Sequence, residues 1–121
     1  LPAKSIELVA AIDPGGYIYE QTNGGRIRIN KAQVTLYQCD TNDQCDVWPA
    51  EKYRQDNPRV TDESGEYYFM ISPGKYYLQV EARGYKQYQG EPFVVKNGSF
   101  LNFNIALKPK ILWRFLHIFG L

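Results

Sequence analysis

The sequence predicts an all-β fold, an antiparallel sandwich, and three observations lead there. Two runs of alternating side chains flank Pro73-Gly74, and turn chemistry recurs at short intervals along the whole chain. The composition is the third: ten tyrosines, six phenylalanines and two tryptophans in 121 residues, a bias that favours extended chain over helix.

In the first run Tyr67, Phe69 and Ile71 fall on one side and Glu66, Tyr68 and Met70 on the other, because successive side chains alternate across a strand. In the second, Tyr76, Leu78, Val80 and Ala82 point inward. Pro73 fixes φ and Gly74 is free to take a positive φ, so the two runs read as a hairpin closed by a tight turn. Upstream, residues 5–11 lean apolar and read as a first strand or as a linker from a preceding domain. Residues 12–16 carry turn chemistry, and 16–20 form the next strand. Asn23-Gly24-Gly25 is a hairpin turn signal. Residues 32–38 alternate again, with Ala32, Val34 and Leu36 on one face. From 39 to 57 the pattern lapses into a polar excursion that holds Trp48-Pro49 and Tyr53. Residues 93–95 form a short strand and Asn97-Gly98 a turn. A last strand over 100–107 has Leu101, Phe103, Ile105 and Leu107 inward. The sum is about seven short strands, the spacing of a sandwich.

A chain of this length is one domain by the usual prior and can bury a core without a metal. Fourteen basic and thirteen acidic side chains give a net charge of +1 and are scattered along the chain, which excludes the one-sided basic footprint of a nucleic-acid binder. No apolar run reaches the roughly 18 residues that cross a bilayer. With no initiating Met and no leader pattern at Leu1, the N-terminus reads as a processed or excised end, which says nothing against secretion.

Gly16-Tyr17-Ile18-Tyr19 and Ala32-Gln33-Val34-Thr35-Leu36 are followed by two spaced series. One is Thr61-Asp62-x-x-Gly65-x-Tyr67; the other is Pro73-Gly74-x-Tyr76-x-Leu78-x-Val80-x-Ala82-x-Gly84-Tyr85. Together they resemble the carboxypeptidase regulatory-like domain family, which groups with the prealbumin-like and Cna-B-like sandwiches. The resemblance spans residues 12–108. It leaves 1–11 as an N-terminal strand or linker and 109–121 as an apolar amphipathic tail. It implies a seven-stranded, Greek-key β-sandwich of prealbumin-like or Ig-like form that serves as a non-catalytic module of secreted or surface proteins, especially bacterial ones. On that basis the chain is expected to be a structural or adhesive module outside the cell or in its envelope, spacing or orienting neighbouring domains. The alternative is a binding module for carbohydrate or protein that uses exposed aromatics.

Little in the chain points to chemistry. His117 is the one histidine and has no Ser, Cys or Asp beside it in a recognisable arrangement. No Gly-rich phosphate loop precedes a helix, and no His/Cys cluster has zinc spacing. No catalytic residue, cofactor or metal is expected. Some Cna-B-like relatives form a Lys–Asn crosslink promoted by a buried acid, which here would be Glu81 with Asn102 or Asn104. The lysine's strand, however, reads Gly-Tyr-Ile-Tyr-Glu, and alternation turns Glu81 outward.

Cys39 and Cys45 enclose five residues, a loop that a disulfide can close if it folds back until the Cα atoms approach to about 5.5 Å. The resemblance points outside the cytosol, where thiols oxidise; two free thiols in a reducing compartment are the alternative. Asp40, Asn42, Gln44, Asp46 and Glu51 fall in an EF-hand-type register, but Cys45 stands where that loop needs glycine and no helices flank it. A solvated acidic loop is the preferred reading and calcium the other.

Trp48, Tyr53 and Tyr88 are candidates for a ligand platform, since flat rings with polar tips suit sugar stacking. Against them, Trp48-Pro49 also reads as cover for an open edge of the core, Tyr85 as a packing corner, and Tyr68 and Tyr77 as a cross-strand pair. Beyond Pro109 a helix can begin. There Ile111, Leu112, Trp113, Phe115, Leu116 and Phe119 are candidate membrane or partner contacts. That segment folds back on the domain or a neighbouring chain, lies in a membrane interface, or starts a spanning helix. Asn97-Gly98-Ser99 fits an N-glycosylation acceptor on a turn.

Overall fold

A computed structural model describes residues 4–6, 16–101 and 103–110. The architecture is all-β, with several sheets packed on a common apolar core. The strands are β1 (Lys4–Ile6), β2 (Gly16–Thr22), β3 (Gly25–Arg28), β4 (Gln33–Cys39), β5 (Cys45–Val47), β6 (Arg59–Val60) and β7 (Glu66–Tyr67). They continue as β8 (Phe69–Ile71), β9 (Gly74–Glu81), β10 (Tyr88–Gln89), β11 (Phe93–Val95), β12 (Ser99–Leu101) and β13 (Ile105–Ala106). One 3-10 turn, Ala50–Tyr53, interrupts them.

The largest sheet runs β1-β11-β9-β4-β5, with β10 added to β9 and β6 to β4; a second runs β13-β2-β3 with β7 on β2, and β12 pairs with β8. Strands are therefore more numerous and shorter than the sequence pattern implies, because several long runs break and change partner. Residues 100–107 are one such run. Its first part, β12, pairs antiparallel with β8, and its second, β13, lies parallel to β2.

The facing of side chains follows the alternation closely. Phe69, Tyr76, Val34, Leu36, Ile18 and Val80 are fully enclosed, with Tyr67, Ile71, Leu78, Leu101, Ile105 and Leu107 beside them. Asn23 and Gly24 turn the chain between β2 and β3, whose register pairs Thr22 with Gly25 and Tyr19 with Arg28. Gly25 takes the positive φ there, at 128°.

The connection at Pro73-Gly74 corrects the hairpin expectation. β8 pairs with β12, whereas β9 pairs with β4, β10 and β11; the turn carries the chain between sheets. Alternation says which way a side chain faces, but it is silent about which strand lies alongside. Gly74 does not take a positive φ, and its missing side chain leaves room for a neighbouring ring. A Cβ there would sit 3.3 Å from the Tyr76 ring, which folds back so that its hydroxyl donates to the Ser72 carbonyl at 2.7 Å. Gly65 does take a positive φ of 70°. A Cβ at that position would stand 2.7 Å from the Ile18 carbonyl oxygen, so only glycine lets the chain approach β2, where the Ile18 amide donates to the Gly65 carbonyl at 2.8 Å.

Two amide side chains stitch the segment after the 3-10 turn to both layers. Asn57 accepts from the Leu36 amide at 2.9 Å and donates to the carbonyls of Leu36 at 2.8 Å and Trp48 at 3.0 Å. Gln55 donates to the Met70 carbonyl at 2.8 Å and accepts from its amide at 2.9 Å. Each amide takes the place of a neighbouring strand where β4 and β8 have none.

Candidate functional site

Buried apolar side chains from the several sheets form one core cluster. Among the described residues Thr61 is the single buried polar side chain. Its hydroxyl donates to the Ile29 carbonyl at 2.7 Å and accepts from the Ala32 amide at 2.8 Å, so it completes backbone hydrogen bonding and points at no ligand.

The disulfide joins Cys39 to Cys45 with the Cα atoms 4.0 Å apart, directly opposite one another where β4 meets β5. The loop between them is held by its own polar groups. Asp40 Oδ1 accepts from the amides of Asn42 at 2.8 Å and Gln44 at 2.9 Å. Asp43 Oδ1 meets Lys75 Nζ at 2.6 Å. These carboxylates serve the turn and a lysine, and no group of three or more His, Cys, Asp or Glu side chains able to hold a metal occurs among the described residues. A shallow depression of about 420 Å³ beside the disulfide is lined by Gln38, Asp40, Gln44, Asp46, Val47 and Pro49. A second, of about 650 Å³, brings Lys31, Arg83 and Lys110 around Glu81 at the other end of β4 and β9. Glu81 is exposed, on the outer face as alternation requires, so it cannot act as the buried acid of an internal crosslink.

The three-residue aromatic platform does not assemble, which corrects that expectation. Trp48 is 3 % exposed; one face is covered by Tyr53 at 5.2 Å with the planes 1° apart, and Phe69 abuts it edge-on at 6.1 Å. Tyr53 is the exposed lid of a core tryptophan, as the edge-covering reading of Trp48-Pro49 anticipates. Tyr88 pairs with Val80 on β9, on the far side of both β9 and β4 from Trp48, whose amide donates to Leu36 of β4 at 2.9 Å. Tyr77 stacks on Tyr37 at 4.7 Å and 4°, not on Tyr68. Tyr68 instead abuts Phe100 at 5.9 Å, with the Arg59 guanidinium 4.9 Å from its ring centroid. The Tyr37–Tyr77 rings cover each other's inner faces. Ile111, Leu112, Trp113, Phe115, Leu116 and Phe119 lie outside the described residues, as do residues 1–3, 7–15 and Asn102.

One constellation has no counterpart in the sequence reading. On the outer face of β2 and β3, Arg28 stands 3.5 Å above the Tyr17 ring and Arg26 4.4 Å above that of Tyr19. Arg26 also donates to the Tyr17 hydroxyl at 2.6 Å and Arg28 to the Ser64 carbonyl at 2.8 Å. The hydrogen bond to Tyr17 raises the pKa of the Arg26 guanidinium; arginine side chains are cationic in proteins in any case. The signal was present in the spacing Tyr17-x-Tyr19 opposite Arg26-x-Arg28, which a hairpin turn at Asn23-Gly24 places in register.

Three comparisons bear on this arrangement. The carboxypeptidase regulatory-like domain model matches residues 22–108. The chain therefore belongs to the carboxypeptidase regulatory-like domain family, a regulatory-like, non-catalytic domain type. No curated protein matches the chain. Among solved structures it is similar to catechol 1,2-dioxygenase from Pseudomonas arvilla C-1, at 14% identity and a TM-score of 0.42 over 91% of this chain and 59% of that one. It is also similar to a point mutant of the Acinetobacter radioresistens catechol 1,2 dioxygenase, at 12% identity and a TM-score of 0.43 over 93% and 60%. The chain thus spans less than two thirds of either structure.

Proposed function

We propose that the chain is a non-catalytic structural module of an extracellular or cell-envelope protein, one that spaces or orients the domains beside it. The observation that carries this reading is the apolar interior: a contiguous core whose one buried polar side chain among the described residues, Thr61, is spent on neighbouring backbone. A module built this way supplies shape and stiffness. The Cys39–Cys45 disulfide and the family support a location outside the reducing cytosol. On this reading the apolar stretch 111–121 attaches the module to a bilayer surface or to a partner protein. Liposome flotation with and without that stretch distinguishes the two attachments.

The test is replacement. In the parent protein, an unrelated sandwich of equal end-to-end length put in place of residues 16–110 preserves function if the module acts as a spacer. Loss of function with the replacement, alongside normal folding and export, overturns the reading in favour of specific recognition.

A further inference from the structure

We propose that the free edge of β3 is a docking site for an extended acidic strand of a partner protein, one in which carboxylates alternate with apolar side chains. This goes beyond the spacer reading and stands without it. β3 ends the β13-β2-β3 order, and Arg26, Ile27 and Arg28 are all exposed.

The hydrogen-bond parity of the hairpin opens this edge. The Ile29 amide donates to the Ile18 carbonyl at 3.0 Å while the Ile18 amide turns to Gly65, so the backbone of position 29 faces β2 through that single bond. Bonded and non-bonded pairs alternate in an antiparallel ladder. The next bonded pair is therefore Ile27 with Glu20, consistent with the register. The N–H and C=O of Arg26 and Arg28 then point away from β2, and among the described residues no turn or loop hydrogen bond uses them. An edge with free backbone groups is a template for a further strand.

Side chains select which strand. Arg26 and Arg28 project from one face, two residues apart, and neither is in an ion pair; the one ion pair among the described residues is Lys75–Asp43. Their guanidiniums rest on Tyr17 and Tyr19. Such surface cation–π contacts are individually weak, and beyond the one N–H that Arg26 gives to the Tyr17 hydroxyl and Arg28 to the Ser64 carbonyl each guanidinium has further donors to offer a carboxylate. A second copy of this chain is a poor occupant, because two β3 edges side by side set arginine against arginine. Like charges directly opposite destabilise a pair, whereas opposite charges stabilise it. On the other face Ile27 is 54% exposed, and a strand laid along β3 would cover it with an apolar residue. The edge thus calls for carboxylates opposite Arg26 and Arg28 and an apolar side chain opposite Ile27.

The experiment titrates the isotopically labelled full chain with a synthetic decapeptide of strictly alternating Glu and Val. A control peptide of the same composition carries all its Glu in one block. The alternating peptide is expected to shift the amides of residues 25–29 first and to bind about tenfold or more tightly than the block peptide. The Arg26→Glu/Arg28→Glu double variant should abolish binding, and Arg26→Lys/Arg28→Lys should retain it, which keeps the test informative if charge reversal impairs folding. Equal binding of the block peptide overturns the proposal, showing charge attraction alone. So do shifts centred elsewhere, the absence of shifts up to millimolar peptide, or self-association of the unliganded chain through the same amides.

Discussion

Thr61, Asn57 and Tyr67 each place a polar group where a strand ladder is interrupted, and removing any of them leaves a buried donor or acceptor behind. Thr61→Val keeps the shape but strands the Ile29 carbonyl and the Ala32 amide that the hydroxyl serves. Urea unfolding should show a loss of about 1–3 kcal/mol, the cost of unsatisfied buried groups. A change within ±0.3 kcal/mol, roughly the scatter of neutral surface substitutions, would mean that water reaches them. Tyr67 donates to the Phe103 carbonyl at 2.7 Å, and burial, followed by nearby Tyr88, drives its pKa well above the ordinary tyrosine value. Burial also raises Tyr76 and Tyr88. Each phenol keeps its proton to a higher pH in the folded chain than in the unfolded one, where it ionises near pH 10. Above about that pH the native state holds more protons, so stability is intact below it and falls as pH rises further. Denaturant midpoints should be flat through neutral pH and then decline. Tyr67→Phe should flatten the alkaline decline while losing about 1 kcal/mol at neutral pH with its hydrogen bond.

At the level of elements, the short strands depend on contacts that secondary-structure patterns do not describe. Gln55 is the partner of β8 on the edge away from β12, and Gln55→Ala should speed hydrogen exchange at Met70 selectively, with little change at Leu78 in the middle of β9. Equal acceleration at both would mean global destabilisation and no local capping. The Cys39–Cys45 bridge closes a very short loop, for which chain entropy predicts about 2 kcal/mol. The β4–β5 register, the Asp40 turn and the Lys75–Asp43 contact also hold this loop. The Cys39→Ser/Cys45→Ser variant should therefore fold and lose about that amount in thermal or urea denaturation.

The same level shows what a reader of the sequence can and cannot recover. Facing is local: Tyr67, Phe69, Ile71, Tyr76, Leu78 and Val80 follow from alternation alone, and the Cys39–Cys45 closure follows from short spacing together with the family resemblance. Pairing is not local. Whether Pro73-Gly74 joins neighbours or crosses between sheets depends on β12, nearly thirty residues away in sequence. The aromatic platform failed for a related reason, since Trp48 looks available until Tyr53 closes over it. Gln55 and Asn57 look like ordinary loop amides because their role is defined only by the backbone they meet. The Tyr17, Tyr19, Arg26 and Arg28 cluster was readable in principle from the Asn23-Gly24 turn, which sets the register that brings them together.

For the whole molecule, the pairing of the outermost described strands matters more than their length. β1 lies parallel to β11 and β13 parallel to β2, although most other contacts in the fold are antiparallel. When a strand is drawn along its own axis beside a parallel neighbour, its ladder is loaded in shear, with every bond resisting at once. A hairpin end drawn sideways unzips one rung at a time. Tension applied along the strand axis at residues 4–6 or 105–106 would therefore load each of these two strands in the first mode.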